Sequence, residues 1–239
     1  MELSKIALGI KPSSTLSITE KAGILRKEGK NVISFSVGEP DFDTPEHIKK
    51  VAVDAINEGF TKYTAAAGII ELRQAVAKKL KDDNGLDYDY TQIVISNGAK
   101  HSLTNALMAV LNPGDEVIIP APYWLSYAEM VRLAGGTPVV VYTKQEEDFA
   151  LTREVLESGY SDKTKAVIIT TPSNPTGMVM TEKQLREIAD FAVEKDIIVI
   201  ADEIYEKLIY SDNKKHVSIA SFGKEIYDRT ITVNGGSKS

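Results

Sequence analysis

Short β-branched runs alternate with longer stretches of helical periodicity along most of this chain. Strand-type runs fall at 93–95, 116–119, 138–142, 166–170, 197–201 and 230–233, and helical patterns at 46–58, 70–83, 100–111, 124–134, 152–158 and 182–195. Strands separated by helices predict a largely parallel sheet with helices on both faces, an α/β fold. Start and stop signals agree with these bounds. Thr181 stands before Glu182 as an N-cap, Thr44-Pro45-Glu46 puts proline at the first helical position, and Gly85 and Gly114 mark helix ends or the turns after them. The first 45 or so residues read differently, as an amphipathic helix followed by an extended 33–37, a boundary good to a few residues. There is no internal repeat and no low-complexity linker.

Three of the strand-type runs stop in polar motifs. These are Thr171-Pro172-Ser173-Asn174-Pro175-Thr176-Gly177, Asp202-Glu203-Ile204-Tyr205 and Asn234-Gly235-Gly236-Ser237-Lys238. Ends of strands are where α/β sheets place ligands. An amine, a carboxylate and neutral donors brought together there suit pyridoxal phosphate. That cofactor needs an amine to hold it as a Schiff base and a carboxylate to keep its ring nitrogen protonated. Lys238 and Asp202 are the candidates, with Asn174 and Tyr205 as donors to the ring hydroxyl; a solvated surface charge is the alternative for Lys238, and a core or rim tyrosine for Tyr205. Asp202 closes the most hydrophobic strand, so an ionised carboxylate there must find a cation or several donors. Capping or a salt bridge is the alternative for Asp202, and turn formation is the alternative for Asn174 between Pro172 and Pro175. The run from Ser96 through Asn97, Gly98, Ala99 and Lys100 joins a strand-type run to a helix, whose first free amides suit a phosphate. Trp124, the one tryptophan, offers a flat face to a pyridine ring or fills core.

Bulk properties narrow the classes. The chain has 239 residues with 43% hydrophobic content, enough for a full core, and a net charge of 28 − 34 = −6 disfavours a nucleic-acid binder. The lysine doublets 49–50, 78–79 and 214–215 read as solvated faces. With no cysteine, disulfides and thiolate chemistry are excluded. No run approaches the ~18 apolar residues of a spanning helix, and the N-terminus is unlike a secretory signal. A cytoplasmic protein with no membrane partner is expected. His47, His101 and His216 are too scattered for a local metal motif, so no metal is expected. Neither Gly-x-Gly-x-x-Gly nor Gly-x-Ser-x-Gly occurs.

From Ser36-Val37-Gly38-Glu39-Pro40 through Lys62-Tyr63-Thr64 and Ser96-Asn97-Gly98-Ala99-Lys100 to Lys238, the motifs stand in one family's order. The chain resembles the class I/II aminotransferases of pyridoxal-phosphate fold type I, in their prokaryotic aspartate aminotransferase branch. The resemblance implies an enzyme that moves an amino group between an L-amino acid, aspartate favoured, and a 2-oxo acid such as 2-oxoglutarate. It implies Lys238, Asp202 and Tyr205 as catalytic residues. Trp124 and Asn174 would touch both cofactor and substrate, and the Gly38 amide would bind the substrate α-carboxylate. The Gly98 turn, the Ala99 and Lys100 amides and the Ser237 hydroxyl would hold the phosphate. Gly235 departs from the pattern, standing where many relatives place a second serine. Tyr63, unless it is an ordinary surface or core tyrosine, would reach the neighbouring subunit's phosphate site, which implies a homodimer with shared active sites.

Residues 1–45 are expected to form an N-terminal arm with part of a small domain, and 46–239 the large cofactor-binding domain. The resemblance further implies that the large domain continues past Ser239, with the arginine for the substrate α-carboxylate in that continuation. Another reaction on the same scaffold (lyase, decarboxylase or synthase) and a non-catalytic sensor domain are the alternatives.

Overall fold

Five strands form one parallel sheet in a computed structural model that describes residues 2–11, 14–36, 38–211 and 215–238. They are β1 (Glu116–Ala121), β2 (Thr137–Tyr142), β3 (Thr164–Thr170), β4 (Ile198–Asp202) and β5 (Thr230–Val233), in the order β2-β1-β3-β4-β5. Nine helices accompany them among the described residues: α1 (Lys5–Gly9), α2 (Ser14–Lys27), α3 (Glu46–Asn57), α4 (Ile70–Asn84), α5 (Ala99–Val110), α6 (Ser126–Leu133), α7 (Arg153–Gly159), α8 (Glu182–Glu194) and α9 (Lys224–Tyr227).

The two-residue period of a strand sorts the core into two layers. Val117, Ile119, Ala166, Ile168, Ile200 and Val233 face Leu103 and Leu107 of α5 and Met130 and Val131 of α6. Ile118, Val167, Ile169, Val199 and Ala201 face Leu156 of α7 and Leu185, Ile188 and Phe191 of α8. Both faces are buried, which is why these strands read as continuous apolar runs rather than alternating ones. The expected capping box starts α8, with the Thr181 hydroxyl accepting from the Gln184 N–H and the Gln184 side chain accepting from the Thr181 N–H. Gly85 closes α4 in the left-handed conformation.

Three expectations differ. Residues 93–95 are not a strand. They follow a 3-10 turn, Tyr90–Gln92, and their one bond of sheet type runs from Ile95 N–H to Ala67 O at 3.0 Å. Ile93 instead buries beside Leu80, Leu86 and Ala220, so burial without a neighbouring strand satisfies its apolar run. Pro45 takes the N-cap of α3 in an extended conformation, not the first helical position. The N-terminal region forms two helices rather than one, and the Lys11 N–H donates to Glu129 Oε2 of α6 at 3.1 Å. Val37 and Lys214 lie outside the described residues, while Ile33 and Phe35 are exposed. No described helix is long and apolar enough to cross a membrane.

Candidate functional site

Because all five strands are parallel, their C-terminal ends share one edge, and the polar motifs of the sequence collect there. Thr170, Asp202 and Val233 sit side by side in register at the ends of β3, β4 and β5. Asp202 has the parity of Ile200 and turns toward α6. There Oδ2 accepts from the Tyr127 hydroxyl at 2.6 Å and Oδ1 from the Ile204 N–H at 3.2 Å. The carboxylate is 3% exposed, and no described cation pairs with it. Burial pushes its pKa up, the Tyr127 and Ile204 bonds oppose that, and the neighbouring Glu203 charge adds to it.

Glu203, one residue on, has the opposite parity and enters a separate buried network. It accepts from Ser218 Oγ at 2.6 Å, lies 2.9 Å from His216 Nε2, and accepts from Asn84 Nδ2 at 3.3 Å. Asn84 Nδ2 also donates to Glu206 at 2.8 Å, and Lys79 Nζ donates to Glu206 and to Asn84 Oδ1. Glu203, Glu206 and His216 are scattered in sequence, yet their ligand atoms lie within 4.8 Å of one another. The Lys79 ammonium supplies the cation in that cluster.

A turn after β4 carries Tyr205 back over the edge, where its hydroxyl accepts from Asn174 Nδ2 at 3.4 Å. Trp124, in the loop after β1, sets its ring edge-on to Tyr127 at 5.4 Å. The Lys100 ammonium lies 4.8 Å above the indole. Helix α5 runs back from this edge. Gly98 precedes it with φ 83°, a conformation that favours glycine, and a Cβ built there meets nothing within 4 Å. The Ala99 and Lys100 amides have no acceptor among the described residues, so the first turn of α5 presents free donors at the sheet edge. Lys238 ends the 3-10 turn Gly236–Lys238 just beyond β5, half-buried and without an ion-pair partner among the described residues. Ser237 beside it is exposed. Gly235 lies under Ile204, since a Cβ there would come within 3.0 Å of Ile204 Cδ1.

Asp202, Trp124 and Lys100 are joined through Tyr127, and Asn174 and Tyr205 are joined to each other. Gly38, Tyr63, Ser237 and Lys238 are not. Gly38 and Tyr63 are exposed, and among the described residues no hydrogen bond or ring contact ties either to the others; the open space around Gly38 does not call for glycine on steric grounds. A cavity of about 30 Å³ between the ends of β1 and β3 is lined by Pro122, Tyr123, Tyr127, Thr170, Asn174 and Thr176, among others. It lies at the point where the strand order reverses. Asp202, Trp124 and Lys238 do not line it. Sequence reasoning missed Tyr127 and Thr170. The Trp124-x-x-Tyr127 spacing was the available signal, and it was hidden among ten tyrosines.

Comparison with known proteins adds a family likeness to this geometry. The profile described as Aminotransferase class I and II matches residues 30–239. An aspartate aminotransferase of Bacillus sp. (strain YM-2) is 49% identical over 228 residues, which cover 95% of this chain and 58% of that protein. One from Bacillus subtilis (strain 168) is 46% identical, with 100% of this chain and 61% of that protein covered. The structure of aspartate aminotransferase from Thermus thermophilus with maleate superposes with a TM-score of 0.94 at 42% identity, covering 100% of this chain and 61% of that one. The chain thus spans about three-fifths of the length of the relatives it matches.

Proposed function

The chain belongs to the class I and II aminotransferases, and on that premise we propose that it acts as a pyridoxal-phosphate-dependent aminotransferase. It moves the amino group of an L-amino acid, aspartate favoured, to a 2-oxo acid such as 2-oxoglutarate. Asp202 carries the reading. It is a buried carboxylate held by two neutral donors, with no cation among the described residues. A buried charge in that state needs a partner, and a protonated pyridine nitrogen has both the charge and the proton to be one. Bound there, the cofactor supplies an electron sink for the charge that develops at the substrate Cα.

The chain's own residues divide the remaining work. Lys238 Nζ would hold the cofactor aldehyde and, as a free amine, would take the proton of the substrate Cα and pass it to the carbon of that aldehyde. Asn174 and Tyr205, already in contact with each other, donate to the ring's phenolic oxygen. Trp124 covers the ring face. The Ala99 and Lys100 amides after the Gly98 turn, with the Ser237 hydroxyl, hold the phosphate; the positive end of α5 favours that anion. The Gly38 amide, with Trp124 and Asn174, orients the substrate. Residues 1–45 act as arm and small-domain segment and 46–239 as the cofactor-binding domain. Two copies share their sites through Tyr63. Full exposure of that side chain and the uncovered apolar residues of α3 support a homodimer.

Borohydride reduction tests the central assignment. In the complete gene product loaded with pyridoxal phosphate, reduction and digestion should give one labelled peptide, containing Lys238, and Lys238→Ala should give none. A label on Lys100 or Lys207 overturns the site. Failure of the loaded protein to exchange amino groups between aspartate and 2-oxoglutarate overturns the substrate assignment.

A further inference from the structure

The hydroxyl that faces Asp202 belongs to a buried polar chain with a fixed direction. Tyr127 is 2% exposed and Thr170 9%. Tyr127 Oη lies 2.6 Å from both Asp202 Oδ2 and Thr170 Oγ1. An ionised carboxylate only accepts, so the single phenol proton is committed to Asp202 and the Thr170 hydroxyl donates to Tyr127. Oδ1 is held by the Ile204 N–H. Both carboxylate oxygens are therefore pinned, each by one donor, and each keeps a lone pair for a further partner.

Resting on the reading of Asp202 as partner of the ring nitrogen, we infer that Tyr127, backed by Thr170, is a positioning residue that keeps this carboxylate ionised and oriented for a cationic ring. The residue type suits the task. Lysine or arginine at this place would neutralise Asp202 and compete with the ring cation, whereas phenylalanine would leave it desolvated with one donor fewer. A phenol orients the charge without cancelling it. Burial drives the Tyr127 hydroxyl pKa well up and the Asp202 charge adds to this, while the Thr170 bond acts the other way and makes the phenol a better donor. The ring is fixed by its edge contact with Trp124 and by the α5/α6 layer of the core. A proposed ring-stacking residue and the proposed ring-nitrogen partner are thus set by one side chain.

The test compares two ligands on the cofactor-free protein. One is pyridoxal phosphate; the other is its 1-deaza analogue, in which carbon replaces the ring nitrogen and no pairing with Asp202 can form. Affinities at pH 7 are measured by absorbance titration for wild type, Tyr127→Phe and Thr170→Val. Wild type should prefer the nitrogen-containing ligand. That preference should shrink about tenfold in Tyr127→Phe, the scale of one hydrogen bond to a charged group, and by a smaller factor in Thr170→Val. The deaza analogue should bind all three proteins alike. If both ligands weaken equally, Tyr127 only packs; if the preference is unchanged in both variants, it does not act on Asp202. Either result overturns the inference while the cofactor reading stands. A wild type with no preference removes the Asp202 assignment and this inference with it. Should Tyr127→Phe fail to fold, Thr170→Val, which keeps the tyrosine ring in place, carries the comparison alone.

Discussion

At the scale of single residues, adjacent acids at the end of β4 have opposite surroundings because a strand sends successive side chains to opposite faces. Glu203 meets hydroxyl, amide and imidazole groups, while Asp202 meets a phenol and a backbone amide and no cation among the described residues. Function and stability should therefore separate at Asp202. Its folded pKa is raised, so its protonated form stabilises the cofactor-free protein below the ordinary aspartate pKa of about 3.9, and that contribution is lost as pH rises through the folded value. Asp202→Asn removes the buried charge. Its amide can keep both contacts of the carboxylate, with Oδ1 accepting from the Ile204 N–H and Nδ2 donating to Tyr127, whose proton then turns to Thr170. The cofactor-free variant should melt higher than wild type at pH 7, with the difference closing as pH falls toward 4. The loaded variant should lose roughly 30- to 1,000-fold in transamination rate, the ~2–4 kcal/mol of a preorganised electrostatic contact. Calorimetry from pH 4 to 8 beside a rate assay checks both halves. A variant that melts lower at pH 7 contradicts the account of Asp202 as an unpaired buried charge.

At the scale of elements, the end of β4 is tied to α4 by an ion pair between segments 127 residues apart. Burial pushes the Glu206 pKa up, but the Lys79 ammonium and the Asn84 amide outweigh it and hold the group below the ordinary glutamate value. Its contribution is therefore present above about pH 4.3 and lost as pH falls through the lower folded value. Lys79→Met keeps the stem and removes the charge. It should cost about 1–3 kcal/mol at pH 7, less than a fully buried pair because Lys79 is one-third exposed. The deficit should narrow as pH drops below 4. Urea unfolding at pH 7 and pH 3.5 measures this, and a deficit equal at both would assign the loss to packing alone.

At the scale of the whole molecule, α3 carries large apolar side chains that nothing described covers. Ile48, Val51 and Ile56 are 51%, 67% and 64% exposed, and Phe60 and Tyr63 beyond the helix are exposed as well. If a second copy covers this face, Val51→Ser with Ile56→Ser should shift the protein toward monomer by at least tenfold in dissociation constant. The far-UV spectrum of the monomer should be unchanged, because neither side chain packs in the core. Sedimentation at several concentrations decides it; an unaltered oligomer places the interface elsewhere. Read on its own, the sequence already contained the parallel α/β class, the five strands of the sheet and the main helices, because burial of both sheet faces demands long apolar runs and helices announce their ends through Thr181 and Gly85. It also contained Lys238, Asp202, Tyr205, Asn174 and Trp124 as candidates, because each stands at a strand end or in the loop that follows one. It could not show that 93–95 lacks a strand partner, that the N-terminal helix divides in two, or that Tyr127 and Thr170 meet Asp202. Nor could it show that Glu203 joins His216 and, through Asn84, reaches Glu206 and Lys79. Those facts depend on strand register and on which face of a helix meets which strand, distances in space that spacing along a chain does not contain.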